Sequence, residues 1–515
     1  MEGYAVRRTL TVLILVLALL LTACGKPAQV ADPQPDPTPS PTPAVQQTDF
    51  TLPYYPGASL HPITGSNRAN LILSNLVYQG LFELDNSFSA HGVLCSQFSV
   101  SEDGLVWTFT LGSHVFSDGS PVTADDVVRS LEQAAGSALY AGRLANVQSI
   151  RATEDGCVAL TLFRPNSALP ALLDIPIIRD REDGSMPLGT GAYTFVEDDG
   201  PLRLARRATA PETLPAEIPL FPIESADDLI YAFDAGTVSM VVSDLTGANT
   251  LGYSSGYEVF SYPTTTMLYV GFQAKSGPCK NPLVRRAVSR SFDRSTVTDS
   301  LLAGHGVATC LPVSPHCELY NPTCEEAGSF STLAEELFAQ TGYAAGDDGL
   351  LYSGRVPLSL TFIVNTDNSF KLTVAEYLTR QLTDLGITVR LQKLAWDDYL
   401  TALERGTFDL YLGEVTLTAD FDLTALLAAD GHLNYGGYTN PETDALLAQL
   451  REVDESGRRA ASDALLEQFL ADAPLAPLCF KNHAVLTQWR SVSGLTPTRQ
   501  NPFYDLESLR FRAVK

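Results

Sequence analysis

The chain has 515 residues, of which 45% are hydrophobic and 18% charged, so its length predicts two or three globular units with real cores. Lysine and arginine total 34 against 59 acidic residues, which gives a formal net charge of −25. Binding of nucleic acid needs a basic face for the phosphates, so this balance argues against nucleic acid as a partner.

The first 23 residues have the pattern of a secretory signal peptide. Arg7 and Arg8 precede an almost uninterrupted apolar run from Leu10 to Leu21. An uncleaved anchor helix is the alternative, but residues 9–23 fall short of the roughly 20 residues that span a bilayer. The ending Leu-Thr-Ala-Cys resembles the lipoprotein box of bacteria, which implies that Cys24 becomes a lipidated first residue.

Residues 24–49 predict a tether between this lipid and the folded part. The segment contains seven prolines between Lys26 and Gln47 and almost no large apolar residue. Such a composition cannot bury a core, and proline favours an extended, semi-rigid spacer. We therefore expect the globular part to lie at the outer face of the cytoplasmic membrane.

From about Thr48 onward the composition is that of a folded protein. The apolar spacing within residues 71–85 predicts a helix that ends at Gly80. Residues 105–116 alternate apolar and polar side chains, which predicts a strand with one buried face.

Three acids, Asp118, Asp125 and Asp126, stand close together in the segment Phe116–Leu131, "FSDGSPVTADDVVRSL". Catalysis is one interpretation, but each acid also has a structural one. Asp118 belongs to a Ser-Asp-Gly turn, and Thr123 with Asp126 forms a capping-box-like pair. Asp125 and Asp126 would lie in the first turn of a helix, where negative charge is favoured. We therefore predict a turn and a helix start.

Two glycine motifs follow. Pro187–Phe195 contains two glycines before a strand, without the lysine or the helix of a phosphate loop, so a tight turn between domains is predicted. Gly252–Gly256 matches the Gly-x-Ser-x-Gly pattern of hydrolases, with Ser254 as the nucleophile. A strand-like segment follows this motif, whereas a nucleophile elbow leads into a helix, so the sequence argues against a catalytic Ser254.

The second half alternates strands and helices. Residues 357–365 predict a strand, 369–386 a helix that ends at Gly386, and 387–392 the next strand. This order predicts a parallel sheet. Further on, Asn440 and Pro441 predict a helix start, as its N-cap and first helical residue.

Seven cysteines lie beyond Cys24, and export permits disulfides. Because the number is odd, at least one thiol is free or pairs outside the chain. Cys310, Cys317 and Cys324 are evenly spaced but lack the close pairs of a zinc site. We expect a local disulfide or free thiols here, and neither a metal nor a cofactor.

Five segments, in order, resemble the extracytoplasmic solute-binding proteins of peptide-type ABC importers, the oligopeptide- and dipeptide-binding family. They are Ser101–Leu131, Pro187–Phe195, Asn281–Gly306, Leu382–Gln392 and Tyr438–Leu447. The resemblance covers most of the chain from about Leu60 to Lys515. It implies an α/β fold of the periplasmic-binding-protein type II, cluster C, in which three lobes with mixed and parallel sheets form two hinged halves.

The family pattern also implies the lobe boundaries. Lobe I is expected to comprise residues 50–75, 186–265 and 485–515, lobe II residues 76–185, and lobe III residues 266–484. The two halves would close on the ligand by a hinge motion.

The resemblance further implies how a peptide would be held. An extended peptide can pair its backbone with strand edges, and its buried α-amino group needs a carboxylate. In peptide-binding members an aspartate after a Gly-Trp pair supplies it. Here Gly413 matches, but Glu414 replaces the tryptophan and the spacing to Asp420 is longer. Asp420 is therefore the candidate amine anchor and Asp422 the second, with a turn aspartate as the alternative. A further departure is His61-Pro62, where the family usually has Asp-Pro.

The sequence thus predicts a lipid-anchored, monomeric binding protein without enzymatic activity. It would capture short peptides and deliver them to an ABC permease and its ATPase complex. Three alternatives stay open: the same fold binding a metal chelate, sugar or opine, a sensor lipoprotein, and a secreted serine hydrolase that uses Ser254.

Overall fold

The computed structural model describes residues 50–248, 250–328 and 332–512. The predicted signal peptide, Cys24 and the tether lie outside these ranges. Within them, none of the helices combines the length and the apolar character that a membrane crossing requires.

The strands are β1 (Leu52–Tyr54), β2 (Phe82–Leu84), β3 (Ala90–Gly92), β4 (Cys95–Val100), β5 (Val106–Leu111), β6 (Val147–Ala152), β7 (Val158–Leu162), β8 (Tyr193–Val196), β9 (Arg203–Arg206), β10 (Glu217–Pro222), β11 (Met240–Ser243), β12 (Tyr257–Phe272), β13 (Gly306–Ala308), β14 (Ala344–Ala345), β15 (Leu351–Ser353), β16 (Val356–Pro357), β17 (Ser359–Asn365), β18 (Thr388–Leu394), β19 (Leu410–Thr416), β20 (Leu475–Gln488), β21 (Val492–Ser493) and β22 (Arg510–Phe511).

The α-helices are α1 (Arg68–Val77), α2 (Ala124–Ala135), α3 (Ala141–Leu144), α4 (Ala226–Asp234), α5 (Pro282–Arg290), α6 (Arg294–Thr296), α7 (Pro322–Gly328), α8 (Thr332–Gln340), α9 (Ser369–Asp384), α10 (Trp396–Arg405), α11 (Thr424–Leu427), α12 (Pro441–Glu452) and α13 (Glu455–Asp472). Single 3-10 turns cover Leu169–Leu172, Pro278–Lys280 and Leu506–Ser508, and a π-helical turn covers Val297–Leu301.

Two four-stranded sheets come from the first half of the chain. One has the order β1-β10-β9-β8, and the other, with the order β4-β5-β7-β6, is antiparallel. The alternation that predicted a strand is confirmed in β5, where Trp107 and Phe109 are buried on one face and stack on each other. Gly189 and Gly191 precede β8 and lie against the end of α1. A Cβ atom on Gly189 would be 2.1 Å from the carbonyl oxygen of Val77, so close backbone approach requires glycine there.

The second half builds a larger mixed sheet with the order β11-β20-β12-β19-β17-β18, and β13 pairs with β20. The predicted parallel pairing is confirmed, because β17 runs parallel to β18 across helix α9 and parallel to β19 on its other side. The two long strands β12 and β20 pair antiparallel from Tyr257 opposite Gln488 to Gly271 opposite Leu475, with a register shift after Pro263. Both strands run through the predicted boundaries between lobes I and III, which stay a prediction.

Side-chain alternation on β12 gives this sheet a core on each face. Leu268 and Val270 point into a cluster with residues of α5 and α9, such as Val284 and Val374. Met267 and Tyr269, which alternate with them along the strand, belong to a different cluster that includes residues of α12 and α13. The strand period of two places successive side chains on opposite faces, and each face is covered by helices.

The acids of Phe116–Leu131 have the predicted structural roles. The Asp118 carboxylate accepts hydrogen bonds from the backbone and hydroxyl of Ser120, and Thr123 with Asp126 forms a capping box at the start of α2. Asp126 is fully buried and also pairs with Arg179 at 2.6 Å. Burial raises the pKa of Asp126, but hydrogen bonds from Arg179 and Thr123 outweigh it and bring the pKa to about 2.

Two further helix boundaries predicted from the sequence are also confirmed, whereas α1 ends at Val77, before the predicted end at Gly80. Gly386 follows the last residues of α9 with a φ of 85°, the left-handed conformation that glycine adopts readily. The Asn440 side chain accepts from the backbone nitrogen of Glu442, and Pro441 is the first residue of α12.

The seven cysteines beyond Cys24 all lie in the described part of the chain, and each is a free thiol. Cys310, Cys317 and Cys324 are buried in one hydrophobic cluster, so they behave there as small apolar side chains. The described residues hold no group of three or more histidine, cysteine or acidic side chains arranged to bind a metal.

Replacing Asp126 tests the structural role of this acid. We expect Asp126→Asn to lower the free energy of unfolding at pH 7 by about 2–3 kcal/mol, because Arg179 and Thr123 lose a charged acceptor. The folded pKa lies below the unfolded one, so this contribution is present above about pH 4 and is lost as the pH falls toward 2. Urea denaturation of both proteins at pH 7 and at lower pH measures the difference.

Asp125→Asn, at an exposed first-turn position, is the control and should change stability by less than about 0.5 kcal/mol. Equal stability of wild type and Asp126→Asn at pH 7 would contradict the assignment.

Candidate ligand-binding cleft

A cavity of about 880 Å³ lies between segments that are far apart in the sequence. Its walls include Pro62, Ser66 and Arg68 around the start of α1, residues near β2 and α3, and the turn 499–507. Thr266 and Thr416, from β12 and β19, form another part of the wall. The volume lies within the range of ligand sites in proteins.

Within the described part of the chain, strand β19 has an edge beside this cavity that is only partly paired. Along its whole length β19 pairs with β12, but β17 pairs with it only at Leu410 and Tyr411. The backbone nitrogen of Leu417 donates to Thr265, which fixes the alternation of bonded and non-bonded pairs. The N–H and C=O groups of Glu414 and Thr416 therefore point away from β12.

Exposure of the backbone agrees with this geometry. Glu414 and Thr416 are exposed residues, whereas Gly413, which directly precedes Glu414, is buried. The side chain of Glu414 is only 24% exposed, so much of the accessible surface of this residue belongs to its backbone. An edge with free donors and acceptors is what an extended peptide needs in order to add a strand.

Gly413 leaves room for a tyrosine ring. A Cβ atom at this position would lie 2.6 Å from the ring of Tyr269, so any side chain would displace it. The ring of Tyr269 in turn packs edge-on against Tyr411, with ring centroids 5.8 Å apart. The match of Gly413 to the family pattern thus has a packing reason in this structure.

Glu414, which replaces the family's tryptophan, belongs to a charge network. It lies 3.5 Å from Lys371 and 3.3 Å from Lys481. The Lys481 side chain is only 2% exposed and also binds Asp244 at 2.8 Å. Burial raises the pKa of Asp244, but His483 and Lys481 together hold it well below its usual range. The two carboxylates compensate the charge of the buried ammonium, and removing either kind of partner would leave an uncompensated charge.

Asp420 does not line the 880 Å³ cavity but lies in the wall of a second cavity of about 450 Å³. It is 8% exposed, and its carboxylate accepts from Asn166 at 3.0 Å and from the Thr418 hydroxyl. Burial raises its pKa, and nearby Asp422 raises it further. A buried carboxylate that neutral groups hold would gain from a cation nearby.

Asp422 has partners of its own. Its carboxylate accepts from the backbone nitrogen and the hydroxyl of Thr424 at the start of α11. Arg451 lies 3.8 Å away. The structure therefore brings the two aspartates together, but only Asp420 lacks a cationic partner for its carboxylate among the described residues.

His61, which stands where the family has aspartate, stabilises a turn through its side chain. Its Nδ1 lies 3.2 Å from the backbone nitrogens of Ile63 and Thr64, so it accepts as an aspartate would. Burial lowers the pKa of His61, and Asp180 opposes this shift. The change from aspartate to histidine keeps the turn before the cleft residue Ser66.

Ser254 does not have the surroundings of a catalytic nucleophile. It lies between β11 and β12, so no helix follows it. Its hydroxyl and backbone nitrogen donate to the Asp234 carboxylate. The described contacts of Ser254 include no histidine that could act as a base.

Replacing Lys481 tests the buried charge network. We expect Lys481→Met to lower the free energy of unfolding at pH 7 by about 2–4 kcal/mol, because Asp244 and Glu414 lose the buried cation that lies between them. The loss should shrink below about pH 4, where protonation removes the charges of the two carboxylates. Urea denaturation of the wild type and the variant at several pH values measures the difference in the free energy of unfolding.

Lys393→Met removes a partner of Glu376 at an exposed position and serves as control, with an effect below about 1 kcal/mol. An equal effect of the two substitutions would show that the network adds no stability.

Comparisons with known proteins identify the family and the fold. The family model of the bacterial extracellular solute-binding proteins, family 5, matches residues 90–434. The periplasmic murein peptide-binding protein MppA of Escherichia coli K12 is 25% identical over 489 residues, which cover 84% of this chain and 87% of MppA.

Solved structures share the fold. The nickel ABC transporter protein from Bacillus halodurans aligns with a TM-score of 0.73 at 18% identity, covering 88% of this chain and 98% of its own. The oligopeptide-binding protein AppA from Bacillus subtilis, in complex with a nonapeptide, aligns with a TM-score of 0.60 at 19% identity, covering 91% and 99%. The predicted type II periplasmic-binding-protein fold is confirmed, and the chain belongs to family 5 of the bacterial extracellular solute-binding proteins.

Proposed function

We propose that this protein captures short peptides in its cleft and delivers them to the permease and ATPase complex of an ABC importer. The unpaired edge of β19 in the cleft wall is the observation that carries this proposal. Main-chain pairing along that edge holds a peptide in extended form whatever its side chains are. MppA and AppA, whose names describe peptide binding, support a peptide as the ligand class.

Asp420 is the proposed anchor of the peptide's α-amino group, with Asp422 as second candidate. Its support is electrostatic, because Asp420 is buried, carries a raised pKa and is held by neutral donors. The Asn166 amide, which now donates to it, would give way to a ligand ammonium. Asp422 is the weaker candidate because Thr424 and Arg451 already occupy its carboxylate.

The remaining parts of the proposal concern delivery. Lipid at Cys24 would keep a monomer at the outer face of the cytoplasmic membrane, with residues 24–49 as the tether. Closure around the ligand would bend the long strands β12 and β20, because these strands run across the predicted lobe boundary. A register shift after Pro263 interrupts their pairing and marks a place where such bending costs little.

Removing one backbone donor tests the β19 edge. Thr416→Pro eliminates an N–H that points away from β12, at the last residue of the strand. We expect the affinity for a short peptide to fall about three- to tenfold, because one hydrogen bond is lost. Isothermal titration against alanine tripeptides and tetrapeptides measures it. Thr416→Val keeps the N–H and removes only the hydroxyl, so it should bind as the wild type does. Unchanged binding by Thr416→Pro would remove the edge from the site.

A comparison of peptides with a charged and an acetylated N-terminus tests the proposed role of Asp420 as the amine anchor. The wild type should bind a free-amine peptide at least about tenfold more tightly than its N-acetyl form, since a charged hydrogen bond is lost on acetylation. Asp420→Asn should abolish this preference, and Asp422→Asn should retain it. A preference that survives in Asp420→Asn and disappears in Asp422→Asn would reverse the assignment.

A further inference from the structure

The cleft gathers arginines in a chain that is otherwise strongly acidic. Arg68, Arg143 and Arg499 all line the 880 Å³ cavity. They come from three distant parts of the sequence, near the start of α1, within α3 and between β21 and the C-terminal 3-10 turn. Against a net charge of −25, such a convergence of cations inside one cavity requires a reason.

The three arginines differ in what they contact. Arg143 forms an ion pair with Asp174 and lies over the ring of Tyr140. One guanidinium nitrogen of Arg68 lies 2.9 Å from Nδ1 of His483. Among the described residues, Arg499 has neither an ion-pair nor a hydrogen-bond partner for its guanidinium. Of these three arginines, Arg499 is therefore the one whose guanidinium has no direct partner among the described residues.

A tight turn holds Arg499 in place. The backbone nitrogen of Thr498 donates to the carbonyl oxygen of Asn501 at 3.0 Å, and the backbone nitrogen of Asn501 donates to the Thr498 hydroxyl. The side chain of Asn501 donates to Glu83 at 3.0 Å. The buried residues Thr498 and Phe503 flank the turn. Arg499 is thus presented to the cavity by a braced segment.

The acids of the cavity do not neutralise Arg499. Arg143 pairs with Asp174, and the carboxylate of Glu83 accepts from Asn501. Asp505 and Glu507 are exposed. Burial, together with Arg143 and Arg68 nearby, lowers the pKa of Arg499 to about 10, although Asp174 opposes this shift, so the group is still protonated at neutral pH. A partly buried cation without a direct counter-ion would gain from a ligand that supplies one.

Polar atoms without partners lie around the same cavity. The hydroxyl oxygens of Ser74 and Thr190 and Oε1 of Gln500 are buried and make no hydrogen bond with the described residues. All three residues line the cavity. The two hydroxyls can donate to an anion, and arginine presents a planar fork that matches a carboxylate.

We propose that Arg499, with Arg68 beside it, binds a carboxylate of the ligand, so that the cleft selects solutes with an anionic group at this end. This inference rests on the proposed function and names the ligand class more narrowly. In a peptide the carboxylate can be the C-terminus or the side chain of an acidic residue, and both present the same fork-shaped acceptor.

Three tripeptides separate these sources in isothermal titration: trialanine with a free C-terminus, trialanine amide, and Ala-Glu-Ala amide. The wild type should bind at least one of the two peptides that carry a carboxylate about tenfold or more tightly than trialanine amide, which carries none. Arg499→Gln should abolish the preference, and Arg499→Lys, which keeps the charge, should retain part of it. Arg151→Gln is the matched control, because it removes the same charge at an exposed position on β6 and should keep the full preference.

Equal affinity of the wild type for all three peptides, or a preference that survives in Arg499→Gln, overturns the inference while the peptide function stands. If the wild type binds none of the peptides, the proposed function is wrong. A titration of the same variants with organic anions such as citrate and with neutral sugars then decides the inference separately. Binding of an anion that Arg499→Gln loses supports it, and binding of sugars alone overturns it.

Discussion

The pairing of β12 with β19 is the constraint on which the cleft depends. Because the two strands pair antiparallel in a fixed register, alternate backbone groups of β19 must point away from β12. Strand β17 satisfies that outer edge only at Leu410 and Tyr411, and beyond them the edge is open. Edges of this kind attract other strands, and here the open part lies at a cavity wall. A guest that brings its own backbone donors and acceptors completes the sheet.

The charged side chains that surround the cleft differ in whether the protein itself supplies their ionic partners. At β19 the buried ammonium of Lys481 holds Asp244 and Glu414 together, so charges there are matched within the protein. Arg499, which lines the same cavity, has no direct ionic partner among the described residues. The cleft wall therefore contains both an open strand edge and an unpaired guanidinium. The overall acidity of the chain describes the solvated surface and says little about this interior.

Much of the fold follows from short sequence patterns because local physics decides them. The capping box at Thr123 and Asp126, the glycine after α9 and the Asn-Pro start of α12 depend on contacts within four residues, and all three are confirmed. The site was harder to predict because its parts are distant in sequence. Asp420 lies at a second cavity, and its partner Asn166 stands 254 positions earlier. Arg499 belongs to no recognisable motif, so only the tertiary structure reveals that Arg68 lies beside it.

The most direct measurement of the central claim is site-resolved amide hydrogen exchange at β19 with and without a bound short peptide. The amides of Glu414 and Thr416 should exchange rapidly in the free protein and become protected in the complex. The amide of Val415 pairs with Met267 in both states and should be protected throughout, which makes it an internal reference. Unchanged exchange at Glu414 and Thr416 in a saturated complex would show that peptides bind elsewhere and would contradict the account.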